Sequence, residues 1–132
     1  MQTTKEDSGR NPYRCMLIAS LWMRYEDIAE DIISDAEREK RELTAGEHHY
    51  LLDSKAYIQK LTPPFEACVR EAVPFALGLI TGASHSISEA VASATDTFKP
   101  VDKRMGDASM HMTRASVDLD QLSQMVESEA QK

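Results

Sequence analysis

Hydrophobic positions in the first third of the chain recur at alternating steps of three and four residues, the spacing of one helical face. The main line consists of Ile18, Leu21, Tyr25, Ile28 and Ile32, and a second line of Trp22, Ala29, Ile33 and Ala36 widens it. Neither glycine nor proline interrupts residues 13–43, so the pattern predicts one long helix there. The first third of this helix is apolar nearly all round, and we expect that end to be buried.

A capping box predicts the start of a second helix. Thr44 can cap the helix, and the side chain of Glu47 can reach back to the cap residue. One side of the segment that follows carries Tyr50, Leu51, Tyr57, Ile58 and Leu61. The Thr62-Pro63-Pro64 run predicts that this helix ends near residue 61 and that another begins. Proline has no N–H to donate within a helix, but it fits the first turn.

The third predicted segment covers residues 62–98, and Pro74 within it is expected to kink or split the helix. Beyond that proline, a heptad spacing connects Ile80, Ser84, Ile87, Val91, Ala94 and Phe98. An adjacent line places a small residue at every fourth position: Gly78, Gly82, Ser86, Ala90 and Ala94. Small side chains let another backbone approach closely. Gly78 and Gly82 are therefore candidate partner contacts.

A fourth segment starts between residues 102 and 107 and extends to the end of the chain. Strict heptad spacing connects Ala108, Met112, Ala115, Leu119, Leu122 and Val126. The positions between them are polar, so the apolar seam is narrow, as in a coiled coil. We expect four of its side chains to contact a partner helix: Met112, Leu119, Leu122 and Val126.

The short links between the predicted segments favour neighbouring helices that run antiparallel. The sequence therefore predicts an all-α protein, an antiparallel helical bundle or an elongated helical hairpin of four to five helices. It has one long N-terminal helix and a coiled-coil-like C-terminal helix. Residues 1–12 are polar and of mixed charge, which predicts a disordered tail, and residues 13–132 form a single domain.

The 132-residue chain has a formal net charge of −7 at pH 7. Phosphate contacts need clustered lysine and arginine, so we expect no nucleic acid partner. The same charge disfavours adhesion to anionic membranes. No signal peptide is evident, and the longest uncharged stretch, residues 72–88, is slightly too short to span a bilayer. We expect a cytoplasmic protein, with a membrane role disfavoured but left open.

The two cysteines, Cys15 and Cys68, lie in apolar sequence surroundings. We expect two buried free thiols in a reducing compartment, with a disulfide as the alternative. No CxxC pair exists, which excludes a zinc ribbon or a thioredoxin-like motif.

Catalytic motifs are missing from the sequence. It contains no Gly-x-Ser-x-Gly elbow and no phosphate-binding glycine loop. His85 with Glu89 and Asp107 with His111 form i,i+4 pairs, which also arise often by chance and more commonly are polar surface pairs than metal ligands. We therefore expect no enzyme, metal or cofactor. A helical metalloenzyme stays the weakest hypothesis.

Four acidic residues, Glu26, Asp27, Glu30 and Asp31, concentrate negative charge on one and a half turns of the first helix. Like charges at i,i+4 spacing cost a few tenths of a kcal/mol per pair. A solvated face is the ordinary interpretation of such a cluster. The functional interpretation is a docking patch for a basic partner.

The sequence as a whole favours a non-enzymatic interaction module that acts by helix–helix docking, as an adaptor, chaperone, inhibitor or subunit of a larger assembly. Self-association is expected, because the C-terminal seam and the front of the first helix carry more apolar surface than one copy covers. The alternative is a secreted or membrane-inserting helical protein that uses the apolar residues 72–83.

Overall fold

The computed structural model describes residues 12–76 and 78–131, which form four long helices. They are α1 (Pro12–Glu39), α2 (Ala45–Ala72), α3 (Leu79–Thr95) and α4 (Val101–Ala130). The prediction of an all-helical protein is confirmed, and the described residues include no strand. The predicted tail covers residues 1–12, of which residues 1–11 lie outside the described residues, and Pro12 is the first residue of α1.

Each helix packs against the helix before and after it, and α1 also packs against α4. Cys15 lies beside Cys68, so the start of α1 meets the end of α2 and these helices run in opposite directions. Gly82 lies next to Asp118, and the carbonyl of Ala94 lies next to Arg104, so α3 and α4 also run in opposite directions. The four helices enclose one hydrophobic core.

The buried line of α1 differs from the main line predicted by the sequence. It consists of Ile18, Trp22, Glu26, Ala29, Ile33 and Ala36. Leu21 is exposed, and Tyr25, Ile28 and Ile32 are half-buried. The neighbouring helices therefore cover only part of the apolar face of α1, and one edge of that face is exposed to solvent.

The expectation that the first third of α1 is buried is wrong. Tyr13, Met16 and Leu17 are 81%, 65% and 59% exposed. These side chains lie at the end of the bundle where α1 begins and where α2 and α4 end, which we call the open end. Apolar composition alone cannot predict burial there, because the number of neighbouring helices decides how much of α1 is covered.

The expected helix boundary at Thr62-Pro63-Pro64 is also wrong, because α2 continues through both prolines to Ala72. The missing N–H groups leave the carbonyls of residues 59 and 60 without helical partners, but both residues are exposed to water. The hydroxyl of Thr62 donates to the carbonyl of Ile58 at 2.6 Å. Tertiary packing of the buried residues beyond the prolines therefore outweighs their local preference.

The chain leaves the helical conformation at Val73, and Pro74–Ala76 form a short 3₁₀ turn before α3. Gly78 precedes α3 with a φ of +89°, which suits glycine, but glycine has no side chain to cap the helix. Glu66 of α2 supplies the cap. Its Oε1 accepts from the backbone N–H of Thr81 at 3.1 Å and from the hydroxyl of the same residue at 2.9 Å.

The opposite end of the bundle contains the α1–α2 loop and the α3–α4 link, and we call it the loop end. The predicted capping box of Thr44 and Glu47 is confirmed. Arg104 is only 2% exposed. Its Nη2 donates to the carbonyl of Ala94 at 2.8 Å, and its Nη1 donates to Glu42 at 2.6 Å. This arginine therefore joins the end of α3 to the α1–α2 loop.

Candidate functional site

The predicted seam of α4 is divided between the core and an open cleft. Met112 and Leu122 are buried, at 4% and 6% exposure. Leu119 is half-buried, and Val126 is 43% exposed. The first part of the seam thus packs inside the chain, while its last two turns reach a surface.

That surface is a cleft of about 270 Å³ between α1, α2 and α4, which we call the C-terminal cleft. Its apolar walls are formed by Met23, Phe65, Val69, Leu119, Leu122 and Val126, and Ser123 and Glu127 complete its lining. The sequence predicted the three residues of α4. It missed Met23, Phe65 and Val69, because the register between helices places them there.

A buried hydrogen-bond chain fixes one wall of the cleft. The indole Nε1 of Trp22 donates to the hydroxyl of Thr62 at 3.1 Å, and that hydroxyl donates to the carbonyl of Ile58. The Trp22 ring meets the ring of Phe65 edge to face, with 5.5 Å between the centroids. Phe65 is therefore held against the core while it faces the cleft.

A disulfide joins Cys15 to Cys68 beside the same cleft. The expectation of two free thiols is wrong, because the described residues contain no free cysteine. The two Cα atoms are 5.8 Å apart, within the range that a disulfide needs. Cys15 and Cys68 are separated from the α1–α2 loop by nearly the same number of residues, so a continuous α2 places them side by side. A helix that ended before Pro63, as the sequence predicts, would not place them side by side. The disulfide also removes the argument for a reducing compartment.

Gly82 lies close to a side chain of α4 in the same copy. A Cβ added at Gly82 would lie 3.0 Å from Oδ2 of Asp118 on α4. Gly78 precedes α3 and is exposed, and nothing lies within 4 Å of its added Cβ. The neighbour of Gly82 is thus a side chain of α4 in the same copy. The close approach of another backbone and a partner contact at either glycine stay predictions.

Three of the four clustered acidic residues face water, and the fourth does not. Asp27, Glu30 and Asp31 are exposed, whereas Glu26 is 4% exposed on the inner side of α1. Burial raises the pKa of Glu26 to about 8, and the neighbouring carboxyl groups of Glu30 and Asp27 add to the rise. The interpretation of all four as one solvated patch is wrong for Glu26, which shares the buried line of Trp22.

His85 and His111 form polar pairs on and near the surface of α3 and α4. Nε2 of His85 lies 2.9 Å from Glu89, and Nε2 of His111 lies 3.8 Å from the same carboxylate. Asp107 pairs instead with Lys103 at 3.4 Å. Within residues 12–76 and 78–131, no three histidine, cysteine, aspartate or glutamate side chains are arranged to hold a metal ion.

None of the helices in the described part of the chain combines the length and apolar character needed to cross a bilayer. Comparison of the chain with protein-family models, curated protein sequences and solved structures gives no match.

Proposed function

We propose that the protein is a non-enzymatic interaction module that binds an amphipathic helix of a partner protein in the C-terminal cleft. The observation that carries the proposal is the convergence of six apolar side chains from three helices on one open cleft. Apolar grooves between helices bind the apolar face of a partner helix through anchors at i, i+3, i+4 and i+7.

The lining of the cleft defines the chemistry of the partner. Phe65 and Leu122 form a buried floor, while Met23 and Val126 are 40% and 43% exposed beside it. Glu127 is the charged residue of this lining. A helix with apolar anchors and a flanking lysine or arginine complements both features, because its cation can approach the Glu127 carboxylate at the rim.

The proposal is tested with synthetic helical peptides that carry an apolar i, i+3, i+4, i+7 face flanked by lysines. Fluorescence anisotropy measures their binding to the full chain. Val126→Asp should weaken binding roughly tenfold or more, because it places a charge among the apolar anchors. Val117→Asp is the matched control on α4, since Val117 is 59% exposed and does not line the cleft.

Binding that is equally weakened by both substitutions, or absent for the unaltered chain, would contradict the proposal. Peptides with glutamate flanks provide a second comparison and should bind more weakly than the lysine peptides. Far-ultraviolet circular dichroism of both variants should match that of the original chain, because both valines are exposed.

The alternative of membrane insertion through residues 72–83 draws little support from this segment. The segment is divided between the end of α2, the Pro74–Ala76 turn and the start of α3. Its apolar side chains lie mostly in the core, including Val73, Ala76, Ile80 and Ala83. Among the described residues of the segment, Phe75 is a large side chain that is exposed, at 59%.

A further inference from the structure

A second apolar groove lies on the outer side of the α1–α2 pair, and we call it the tyrosine groove. It has a volume of about 300 Å³ and is lined by Leu21, Arg24, Tyr25, Ile28, Tyr50, Asp53, Ser54 and Tyr57. The aliphatic residues of this groove belong to the edge of the apolar face of α1 that the bundle leaves uncovered.

Three tyrosines make the groove aromatic. The rings of Tyr25 and Tyr57 stack with 4.7 Å between centroids and 8° between planes. Tyr50 is 59% exposed and Tyr57 is 46% exposed. Tyrosines offer large contact area at low cost in side-chain entropy, which is why they are enriched in interfaces.

The apolar surface continues along α1 toward the open end. Leu17 precedes Leu21 by one turn on the same side of the helix and is 59% exposed. The stripe from Leu17 to Ile28 extends over about 16 Å at 1.5 Å per residue. An uncovered apolar strip of this length beside exposed tyrosines is typical of a protein interface.

We propose that a second copy of this chain covers the tyrosine groove and forms a two-fold symmetric dimer. The charges of the groove support this occupant. Arg24 lies on the α1 side and Asp53 on the α2 side. Among the described residues, Asp53 is paired with His49 at 3.2 Å and forms no ion pair with Arg24.

Two-fold symmetry lets each of these two charges pair with the opposite charge of the second copy. If α1 of each copy lies over α2 of the other, Arg24 of one copy faces Asp53 of the second copy, and the same contact forms twice. The apolar and aromatic side chains of the two grooves then cover each other between the two ion pairs. The groove is therefore self-complementary in both charge and apolar character.

Charge reversal provides the test. Sedimentation equilibrium of the full chain, without reductant, should show a dimer at micromolar concentrations. Arg24→Asp and Asp53→Arg should each weaken the dimer roughly tenfold or more, because each places two like-charge pairs across the interface. An equimolar mixture of the two variants should dimerise again, since opposite charges then face each other at both positions.

Two matched substitutions of exposed aromatic residues distinguish a specific role of the groove in the dimer from a general effect of added surface charge. Tyr50→Glu should disrupt the dimer, whereas Phe75→Glu should not, although both side chains are 59% exposed. A monomeric original chain, a dimer that tolerates either charge reversal, or a mixture that stays monomeric would overturn the proposal. Val126→Asp should leave the dimer intact, so failure of this proposal is distinguishable from failure of the helix-binding function.

Discussion

The two ends of the bundle are held together by different chemistry. The loop end uses charged hydrogen bonds, because buried Arg104 joins Glu42 to the end of α3 and Arg41 contacts Glu47 at 2.7 and 3.0 Å. The open end uses a disulfide and apolar contacts around Trp22. The first turns of α1 at the open end expose Tyr13, Met16 and Leu17. Other large apolar side chains are exposed toward the loop end, at Tyr50, Leu52, Met110 and Phe98.

Two glutamate side chains have opposite pKa shifts because their surroundings differ. At the loop end, hydrogen bonds from Arg41 lower the pKa of Glu47 to about 2. In the middle of α1, burial raises the pKa of Glu26 to about 8. The loop end is therefore joined by charged hydrogen bonds, whereas the open end keeps apolar surface that a partner can cover. Substitutions at each end should separate these roles.

Removal of the disulfide should have the largest effect on stability. Cys15 and Cys68 are separated by 53 residues, and closure of a loop of that length contributes about 4 kcal/mol in the chain-entropy account. The double variant Cys15→Ala/Cys68→Ala should lose about that much unfolding free energy in urea titrations followed by Trp22 fluorescence. Hydrogen exchange should accelerate at the open end first.

The original chain, reduced and alkylated, is the control and should match the double variant. Thiol titration of the purified, unreduced protein supplies a second check. Two reactive thiols after denaturation, or equal urea midpoints for the original chain and the double variant, would be incompatible with this bond.

Arg104→Ala should have the next largest effect, at about 3 kcal/mol. The substitution removes the hydrogen bonds to Ala94 and Glu42 and leaves a space in a buried site. Lys103→Ala is the adjacent control and should cost less than about 0.5 kcal/mol, because its ion pair with Asp107 is exposed. Similar losses for both variants would show that the loop end does not depend on the buried arginine.

The sequence was sufficient for the helical character of the chain and for features set by local chemistry. The Thr44–Glu47 capping box and the long first helix depend on residues close together in sequence, and the structure contains both. The course of α2 through Pro63 and Pro64 was not predictable in this way. It depends on tertiary packing of the residues beyond the prolines. Because the sequence predicts a helix end at Pro63, it does not predict the disulfide either.

The candidate cleft shows the same division between local and tertiary information. Heptad spacing placed Leu119, Leu122 and Val126 on one side of α4, and all three line the cleft. Phe65 and Val69 could have been found as an i,i+4 pair if α2 had been extended past the prolines. Glu26 followed the buried spacing of Trp22, but its charge led to an exposed interpretation.

Glu26→Gln should change the unfolding free energy less than removal of the disulfide or of Arg104. Unlike those two substitutions, it should stabilise the protein. A carboxyl group whose pKa is raised in the folded state stabilises the protein fully below its unfolded pKa of 4.5. That stability is lost as the pH rises through about 8. The unfolding free energy of the original chain should therefore fall between pH 4.5 and pH 8.

Glutamine stays neutral, so the Glu26→Gln variant should show a flatter pH profile. One pKa unit corresponds to about 1.4 kcal/mol, so the full rise from 4.5 to about 8 would correspond to roughly 5 kcal/mol. Relaxation around the ionised carboxylate and entry of water reduce this figure, and we expect the variant to be about 2 kcal/mol more stable at pH 8 and nearly equal to the original chain at pH 4.5. Asp31→Asn removes the same formal charge from an exposed position of α1 and should leave the slope of the profile unchanged. A parallel profile for Glu26→Gln and the original chain would mean that Glu26 is hydrated and ionised. The contrast between Glu26 in the middle of α1 and Glu47 at the loop end would then be lost.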